Sequence, residues 1–172
     1  MIGKIVFSGV AGSGKSSVID RLSESGYKVV EESARKLIKY YQEFDESKLP
    51  WNDMDFFQKE VTGDQLNNYV KNYDCFFDRG LVDDVAYKLY MGKDVPNYLS
   101  DACKFYKYDT VFLFPFWEEI YKQDSERVET PKEAEKLFDY LIKAYKLFGY
   151  NPIVVPKVSI EERVEFVLNK IK

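Results

Sequence analysis

The sequence contains no histidine, only two cysteines and no long apolar segment. Without histidine, a serine–histidine dyad or a histidine-ligated zinc is excluded. Cys75 and Cys103 have no metal-ligand spacing and are too few for a disulfide framework. No run approaches the roughly 18 apolar residues of a membrane-spanning helix, and the apolar stretch at the amino terminus is too short for a signal peptide. We therefore expect a soluble, cytoplasmic protein that does not engage a membrane.

Runs of positive charge are also missing. The formal net charge is −4, and no stretch of lysine and arginine stands out. Proteins that follow a nucleic-acid backbone usually present a basic surface, so a polymeric nucleic acid is disfavoured as a partner. A local basic pocket for a small phosphate compound remains compatible with this charge. Oligomeric state is left open by the sequence.

The residues that are present describe a globular α/β chain. Hydrophobic residues make up 45% of the sequence and charged residues 31%, which is typical of a folded domain. A length of 172 residues favours one domain over two, so we treat 1–172 as a single domain. Short apolar segments alternate with helical patterns, and the predicted strands are 4–8, 27–31, 74–78, 110–114 and 153–155. Near-continuously apolar strands of this kind indicate a parallel sheet with helices on both faces, a three-layer α/β/α arrangement.

Helix boundaries are marked most clearly in the second half of the chain. Thr130, Pro131 and Glu133 fit the first positions of a capping box, and Ser159 with Glu162 repeats the pattern before the last helix. Further helices are predicted at 33–41, 53–70, 82–91 and 131–148, and one opens directly after the first strand. Each predicted helix thus lies between two predicted strands or after the last one.

One motif carries specific chemistry. Residues 9–16, GVAGSGKS, match the P-loop (Walker A) pattern G-x-x-x-x-G-K-[ST] completely, between a strand and a helix as the mechanism requires. Glycines let the backbone wrap a phosphate, and the helix amino terminus adds favourable partial charge. Lys15 is expected to reach the β- and γ-phosphates, and Ser16 to ligate Mg²⁺. The predicted binding residues are Gly9, Ala11, Gly12, Ser13, Gly14, Lys15, Ser16 and Ser17.

Acidic residues follow two other predicted strands. Ligands of open α/β sheets bind at the carboxyl ends of the strands, where Asp78 and Arg79 lie. Asp78 could hold Mg²⁺ or act as a base, and Arg79 could face phosphate oxygens; a solvated turn is the simpler alternative. Glu31 or Glu32 could accept a proton from an attacking hydroxyl, or Glu32 could only pair with Arg35 at a helix start.

Three further segments have less specific interpretations. Asp83 and Asp84, in the first turn of a helix, are expected to serve its dipole without a catalytic role. Residues 116–130 form a long, charged connection that could be a lid. Such a lid could carry Arg127, in preference to Lys122, onto the transferring phosphoryl group. An ordinary exposed helix is the alternative. One amide and several aromatic side chains lie between the second and third strands: Gln65, Trp51, Phe56, Phe57 and Tyr69. They could hold a flat, base-like ring, and packing in the core is the alternative for most of the aromatic residues.

These motifs together resemble P-loop kinases, and more closely the nicotinamide riboside kinase-like predicted ATPases. The resemblance covers nearly the whole chain, through GVAGSGKSS, EESARKLI, FFDRGLVDDVAY, YDTVFLF, QDSER and IVVPKVSIEERVEFVL. It implies a P-loop NTPase fold with five parallel strands in the order 2-3-1-4-5, ATP with Mg²⁺, and a lid arginine. Related nucleoside kinases have an acidic base after the second strand, and Glu31 or Glu32 resembles it. They have an acid–arginine pair after the third strand, and Asp78 with Arg79 resembles that pair. The riboside kinases themselves have Asp-Thr-Asp where this chain has Asp-Arg-Gly.

The expected function is that of a Mg²⁺-dependent enzyme. The leading hypothesis is a kinase that transfers the γ-phosphoryl group of ATP to a nucleoside-like hydroxyl acceptor. The alternative is a regulatory NTPase or switch without a small-molecule acceptor. A standard GTPase is disfavoured because N-K-x-D is absent, although ATP and GTP are not distinguished by the P-loop itself.

Overall fold

The computed structural model describes residues 1–121 and 130–171 of the chain. Its centre is a sheet of five strands, and neighbouring strands pair in parallel throughout. The spatial order is β2-β3-β1-β4-β5, which confirms the predicted fold and strand order. The strands are β1 Lys4–Gly9, β2 Val29–Val30, β3 Cys75–Asp78, β4 Thr110–Phe114 and β5 Ile153–Val154.

The helices agree with the sequence pattern, with one addition. They are α1 Lys15–Glu24, α2 Ser33–Phe44, α3 Met54–Lys71, α4 Leu81–Tyr90, α5 Asn97–Phe105, α6 Pro131–Leu147 and α7 Ile160–Lys170. The sequence analysis missed α5, a short helix that follows Pro96 and buries only Leu99, Ala102 and Cys103. Both predicted capping boxes form, at Thr130 and at Ser159.

Alternate residues of the strands supply the cores on the two faces of the sheet. On one face, Phe7 of β1 meets the rings of Phe76, Phe112 and Phe114 at centroid distances of 5.0, 5.6 and 5.1 Å. This face packs against α1 and α7. On the other face, Val6 and its neighbours pack against α4, α5 and α6. Much of the aromatic content therefore lies in the core, where burial of such rings is most stabilising.

A smaller apolar cluster joins α2 to α3, away from the main cores. Its buried members are Tyr41, Leu49, Phe57 and Val61. The strand next to it, β2, is only two residues long, shorter than the predicted 27–31. No helix in residues 1–121 and 130–171 is long and apolar enough to cross a membrane.

The topology brings the ends of β1, β3 and β4 to one edge of the sheet. Gly9 ends β1 opposite Phe114 of β4. A Cβ at Gly9 would lie 2.5 Å from the Phe114 carbonyl oxygen, so only glycine allows this close approach. Asp78 ends β3 beside β1. The sequence motifs that follow these three strands are therefore neighbours in space.

Candidate active site

The loop between β1 and α1 has the conformation that phosphate binding requires. Gly12 and Gly14 have φ angles of 72° and 71°, in the left-handed region that favours glycine. Gly14 is the N-cap of α1 and provides no side-chain cap for the helix. The amide groups of the first turn are therefore left for a ligand, and the helix dipole favours an anion there.

A cavity of about 730 Å³ lies over this loop. Its walls come from the loop itself, from the start of α2, from the β3–α4 junction and from the segments around Trp117 and Arg163. The lining residues outside the loop are Glu32, Arg35, Arg79, Tyr87, Trp117, Ile120, Val158, Ser159, Ile160 and Arg163. The volume lies within the range of sites for cofactor-sized ligands.

Lys15 forms an ion pair with Asp78 across this site. The Lys15 amine is hydrogen-bonded to Oδ1 of Asp78, and both side chains are largely buried. Burial lowers the pKa of Lys15, while the charge of Asp78 acts in the opposite direction. The two residues that the sequence predicted from separate motifs are thus in direct contact.

Arg79 is held rigidly beside them. Its backbone has a φ of 69°, which residues other than glycine rarely adopt. The Nε atom lies 3.2 Å from Glu32 Oε1, and Nη1 donates to the Gly9 carbonyl at 3.1 Å and to Asp83 Oδ1 at 3.2 Å. Burial opposes the charge of Arg79, but Tyr87, Glu32 and Asp83 raise its pKa and keep it protonated. A cation is therefore fixed at the junction of β3 and α4.

The two candidate bases that precede α2, Glu31 and Glu32, have different surroundings. Glu32 is the N-cap of this helix and lies in the cavity, where its carboxylate pairs with Arg79. Its contact with Arg35, at 4.0 Å, is longer. Burial would raise the pKa of Glu32, but Arg79, Lys15 and Arg35 outweigh it and lower the pKa. Glu31 is exposed.

The two aspartates of α4 have different surroundings. Asp83 is buried and accepts hydrogen bonds from the Ser8 hydroxyl at 2.6 Å, the Tyr145 hydroxyl at 2.6 Å and the Gly80 amide at 3.0 Å. With Arg79 as a further donor, it ties β1, α4 and α6 together, which is more than a helix-dipole role. Asp84 is less buried than Asp83, and both residues line a second cavity.

This second cavity has a volume of about 210 Å³ and lies between α2, α3 and α4. One oxygen of Asp84, Oδ2, is buried there without a hydrogen-bond partner among the residues described. Burial and the neighbouring charge of Asp83 raise the pKa of Asp84 to about 7, and a hydrogen bond from Gln58 offsets part of the rise. Phe57 and Tyr87 contribute ring surfaces to the wall.

Sequence reasoning located this second region but chose some of the wrong side chains. Trp51 is 64% exposed, and Gln65 is buried within α3. Neither they nor Phe56 and Tyr69 belong to the lining of the two cavities described here. Gln58 and Phe57 do, about two helical turns before Gln65. Because residues seven apart lie on nearly the same face of a helix, position along α3 separates Gln58 in the cavity from the buried Gln65, and tertiary packing sets that position.

The predicted lid is described only at its two ends. Residues 116–121 pass over the phosphate loop: the ring of Tyr121 lies 2.2 Å from where a Cβ on Gly12 would be. Phe116 is buried and pairs with the Tyr121 ring at 5.2 Å. Lys122 and Arg127 lie outside the described residues, so their role remains a prediction.

A third cavity bears on the predicted metal site. Ser16 and Asp78 line one space of about 300 Å³, together with Glu31 and Glu32. Oxygen ligands of this kind suit Mg²⁺, which keeps several waters and usually takes few protein ligands beside substrate phosphates. Within the described part of the chain, no group of three or more acidic or cysteine side chains converges as a metal cluster.

A parallel sheet in this order, with a phosphate-binding loop between its first strand and helix, defines the class of P-loop kinase-like NTPases. A family model described as an AAA domain matches residues 4–163, and the chain belongs to that family. A comparison with curated proteins found no match.

Solved structures with similar folds include several kinases. Deoxyadenosine kinase from M. mycoides with bound dATP superposes with a TM-score of 0.68 at 18% identity, over 98% of each chain. Thymidylate kinase from Candida albicans gives 0.67 at 18% identity, over 98% of this chain and 90% of that one. The NadR protein in complex with NR gives a TM-score of 0.72 at 15% identity, over 98% of this chain and 50% of that one. At these identities the comparison establishes a shared fold.

Proposed function

We propose that the protein is a Mg²⁺-dependent kinase that transfers the γ-phosphoryl group of ATP to a hydroxyl of a small, nucleoside-like acceptor. One observation carries the proposal: the cavity over the phosphate loop and the cavity beside Asp84 share the wall residues Glu32, Arg79 and Tyr87. A triphosphate in the first and an acceptor in the second would meet at a carboxylate and a fixed cation. An NTPase that hydrolyses nucleotide alone has no use for the second cavity.

The donor half rests on the phosphate loop. Backbone amides of residues 12–16 would enclose the β-phosphate, as the loop conformation allows. Lys15 would leave or share its pairing with Asp78 and contact the β- and γ-phosphates. Because burial already destabilises the Lys15 ammonium, polyphosphate charge would be a favourable partner.

Mg²⁺, when bound with the nucleotide, would supply electrostatic stabilisation of the charge that develops on the phosphate oxygens. The Ser16 hydroxyl and the Asp78 carboxylate, directly or through water, would hold it. The Asp78 carboxylate would pair with Lys15 when no nucleotide is bound, and it would hold Mg²⁺ when the nucleotide is present.

The proposed transfer is a direct displacement. The acceptor oxygen forms a bond to the γ-phosphorus, the bond from that phosphorus to the β,γ-bridging oxygen breaks, and ADP leaves. Glu32 would take the proton of the acceptor hydroxyl, since its carboxylate borders both cavities; its lowered pKa keeps it ionised but also limits its strength as a base. Arg79, fixed by Glu32 and Asp83, would face the transferring group, and Arg127 on the predicted lid would join it.

The second cavity has the chemistry of a site for a flat, polar ring. Phe57 and Tyr87 offer ring faces, and Asp84 with Gln58 offers hydrogen-bonding groups at the wall. A carboxylate and an amide are the pair that reads amino and ring-nitrogen groups on a nucleobase edge. The unpartnered Oδ2 of Asp84 would then accept a hydrogen bond from the acceptor. This is why we propose a nucleoside-like acceptor.

The test is turnover of ATP and GTP by the purified protein with Mg²⁺, alone and with a panel of nucleosides. We expect ADP formation that an acceptor stimulates, with a phosphorylated product of equal amount. Release of inorganic phosphate that no acceptor changes would favour the regulatory NTPase instead. No turnover and no triphosphate binding would remove both proposals.

A further inference from the structure

Arg163 of α7 is a buried arginine that contacts the phosphate loop. Only 4% of its surface is exposed. Its Nη1 atom donates to the carbonyl oxygen of Ser13 at 3.1 Å and to that of Gly14 at 3.4 Å. A Cβ on Gly14 would lie 2.6 Å from the same nitrogen, so the loop and the guanidinium are in close contact. The last helix of the fold thus touches the loop that follows the first strand.

The charge of Arg163 has no acidic partner within 4.0 Å among residues 1–121 and 130–171. Its neighbour Glu162 is turned away and caps the helix at Ser159. The Nε atom is buried and has no hydrogen-bond partner in the described part of the chain. A buried cation is stabilised by an anion close to it, and Arg163 lines the cavity over the phosphate loop.

Arg163 also contacts the segment after β4, which forms another wall of that cavity. Its guanidinium carbon lies 5.3 Å from the ring centroid of Trp117, within the range of a cation–π interaction. Trp117 follows β4 and begins the connection that passes over the loop. One side chain therefore joins the phosphate loop, the segment after β4 and α7.

We propose that Arg163 is a positioning residue for triphosphate binding. By holding the Ser13 and Gly14 carbonyls outward, it keeps the amide groups of the loop directed into the cavity. Its charge, buried beside the cavity, adds to that of Lys15 in favouring a polyphosphate. The inference rests on the proposed triphosphate site, and it gives a role to a residue outside the P-loop and the predicted lid.

The experiment measures binding of two ligands, ATP and inorganic tripolyphosphate, each with Mg²⁺, by calorimetry. The variants are R163Q and R163K, and the matched controls are R21Q and R21K, on an arginine that is half exposed and that, among the described residues, pairs with Glu24 and Glu161. We expect R163Q to weaken both ligands by about tenfold or more, since hydrogen bonds to a charged group are lost. R163K should recover part of this loss, because an ammonium can serve the carbonyls but cannot also stack on Trp117. The Arg21 variants should bind like the wild type.

Thermal unfolding without ligand separates this role from a loss of fold. If R163Q does not fold, R163K against R21K decides the question alone. Wild-type affinity for tripolyphosphate in R163K and R163Q would overturn the inference while leaving the proposed function intact. A loss for ATP without a loss for tripolyphosphate would also overturn it, since Arg163 would then contact the base or ribose. A wild-type protein that bound neither ligand would refute the proposed function itself.

Discussion

The cavity over the phosphate loop and the cavity beside Asp84 are adjacent, but they are built in different ways. One wall of the first is a continuous stretch of the chain, residues 10–17, and the remaining walls come from other segments. The second is formed by side chains from α2, α3 and α4, which are far apart in the sequence. A backbone site needs glycines at fixed spacing, whereas a side-chain site needs only that several helices pack at the right angle. The two sites meet at Glu32 and Arg79, and the charge distribution changes there.

The charged residues that line the two cavities also differ. Around the loop, Lys15, Arg79 and Arg163 bring positive charge into buried positions, and the helix amino terminus adds to it. The second cavity is lined by charges of both signs, Glu32, Asp83, Asp84, Arg79, Lys88 and Lys93, beside apolar and aromatic side chains. The first arrangement favours an anionic ligand, whereas the mixed charges of the second do not. Three substitutions, one of them tested in two ways, examine this division.

The largest effect is expected from K15A. Loss of the ammonium group should reduce phosphoryl transfer by roughly 100- to 1000-fold, as removal of a key electrostatic group does in other active sites. The measurement is the initial rate of ADP formation at saturating ATP. The control is K59A, which removes an exposed lysine of α3. Wild-type rates in K15A would mean that the loop does not serve turnover.

The next effect is expected from E32Q, at the boundary of the two cavities. Glutamine keeps the size of the side chain but cannot accept a full proton, so kcat should fall by about 100-fold or more while triphosphate affinity stays near the wild-type value. The matched control is E31Q, on the exposed neighbouring residue. A loss in E31Q and none in E32Q would exchange the two assignments and move the base out of the shared wall.

A smaller effect is expected from D84N, which alters only the second cavity. The substitution removes the acceptor oxygen that has no partner in the described residues, and KM for the acceptor should rise by roughly tenfold. Affinity for ATP should not change. The control is D101N, on an aspartate of α5 that pairs with Lys104 at the surface. Steady-state kinetics with acceptor varied at fixed ATP measure the effect; an equal change in KM for ATP would contradict the separation of the two sites.

The last prediction concerns stability and pH and involves no change in turnover. Because burial raises the pKa of Asp84 to about 7 in the folded protein, the fold binds a proton between about pH 4 and 7 that the unfolded chain has released. Stability from this group therefore decreases as pH rises through that window, and stays low above it. Without ligands, the free energy of unfolding of D84N, measured with urea at pH 8, should exceed that of the wild type by up to about 4 kcal/mol, and the difference should shrink towards pH 4. A pH-independent difference would show that Asp84 does not titrate near neutrality.

The sequence predicted the backbone-built half of the site well, for a physical reason. The P-loop conformation depends on residues within eight positions of one another, so the pattern of glycines, Lys15 and Ser16 predicts it locally. The pairing of Asp78 with Lys15 follows from strand ends at one edge of a parallel sheet, which strand periodicity indicates. The positions of these groups agree with the prediction, while their catalytic roles remain proposals.

The side-chain half was predicted less well. In α3, the sequence singled out Gln65, but the packing of α2 and α4 against this helix buries Gln65 and directs Gln58 towards the cavity. In α4, both aspartates were assigned to the helix dipole, yet both line a cavity and Asp83 is also a buried hydrogen-bonding centre. Arg163 had no local signal at all, because its partners are about 150 residues earlier.

By itself, the sequence determined the alternation of strands and helices, the parallel sheet and the phosphate loop, since each depends on spacing between residues close in the chain. Tertiary structure alone decided which of Glu31 and Glu32 lines the cavity over the phosphate loop, which residues of α3 and α4 line the second cavity, and that α7 contacts the phosphate loop. Those features depend on how helices pack across the sheet, and packing angles are not encoded in any short stretch of residues.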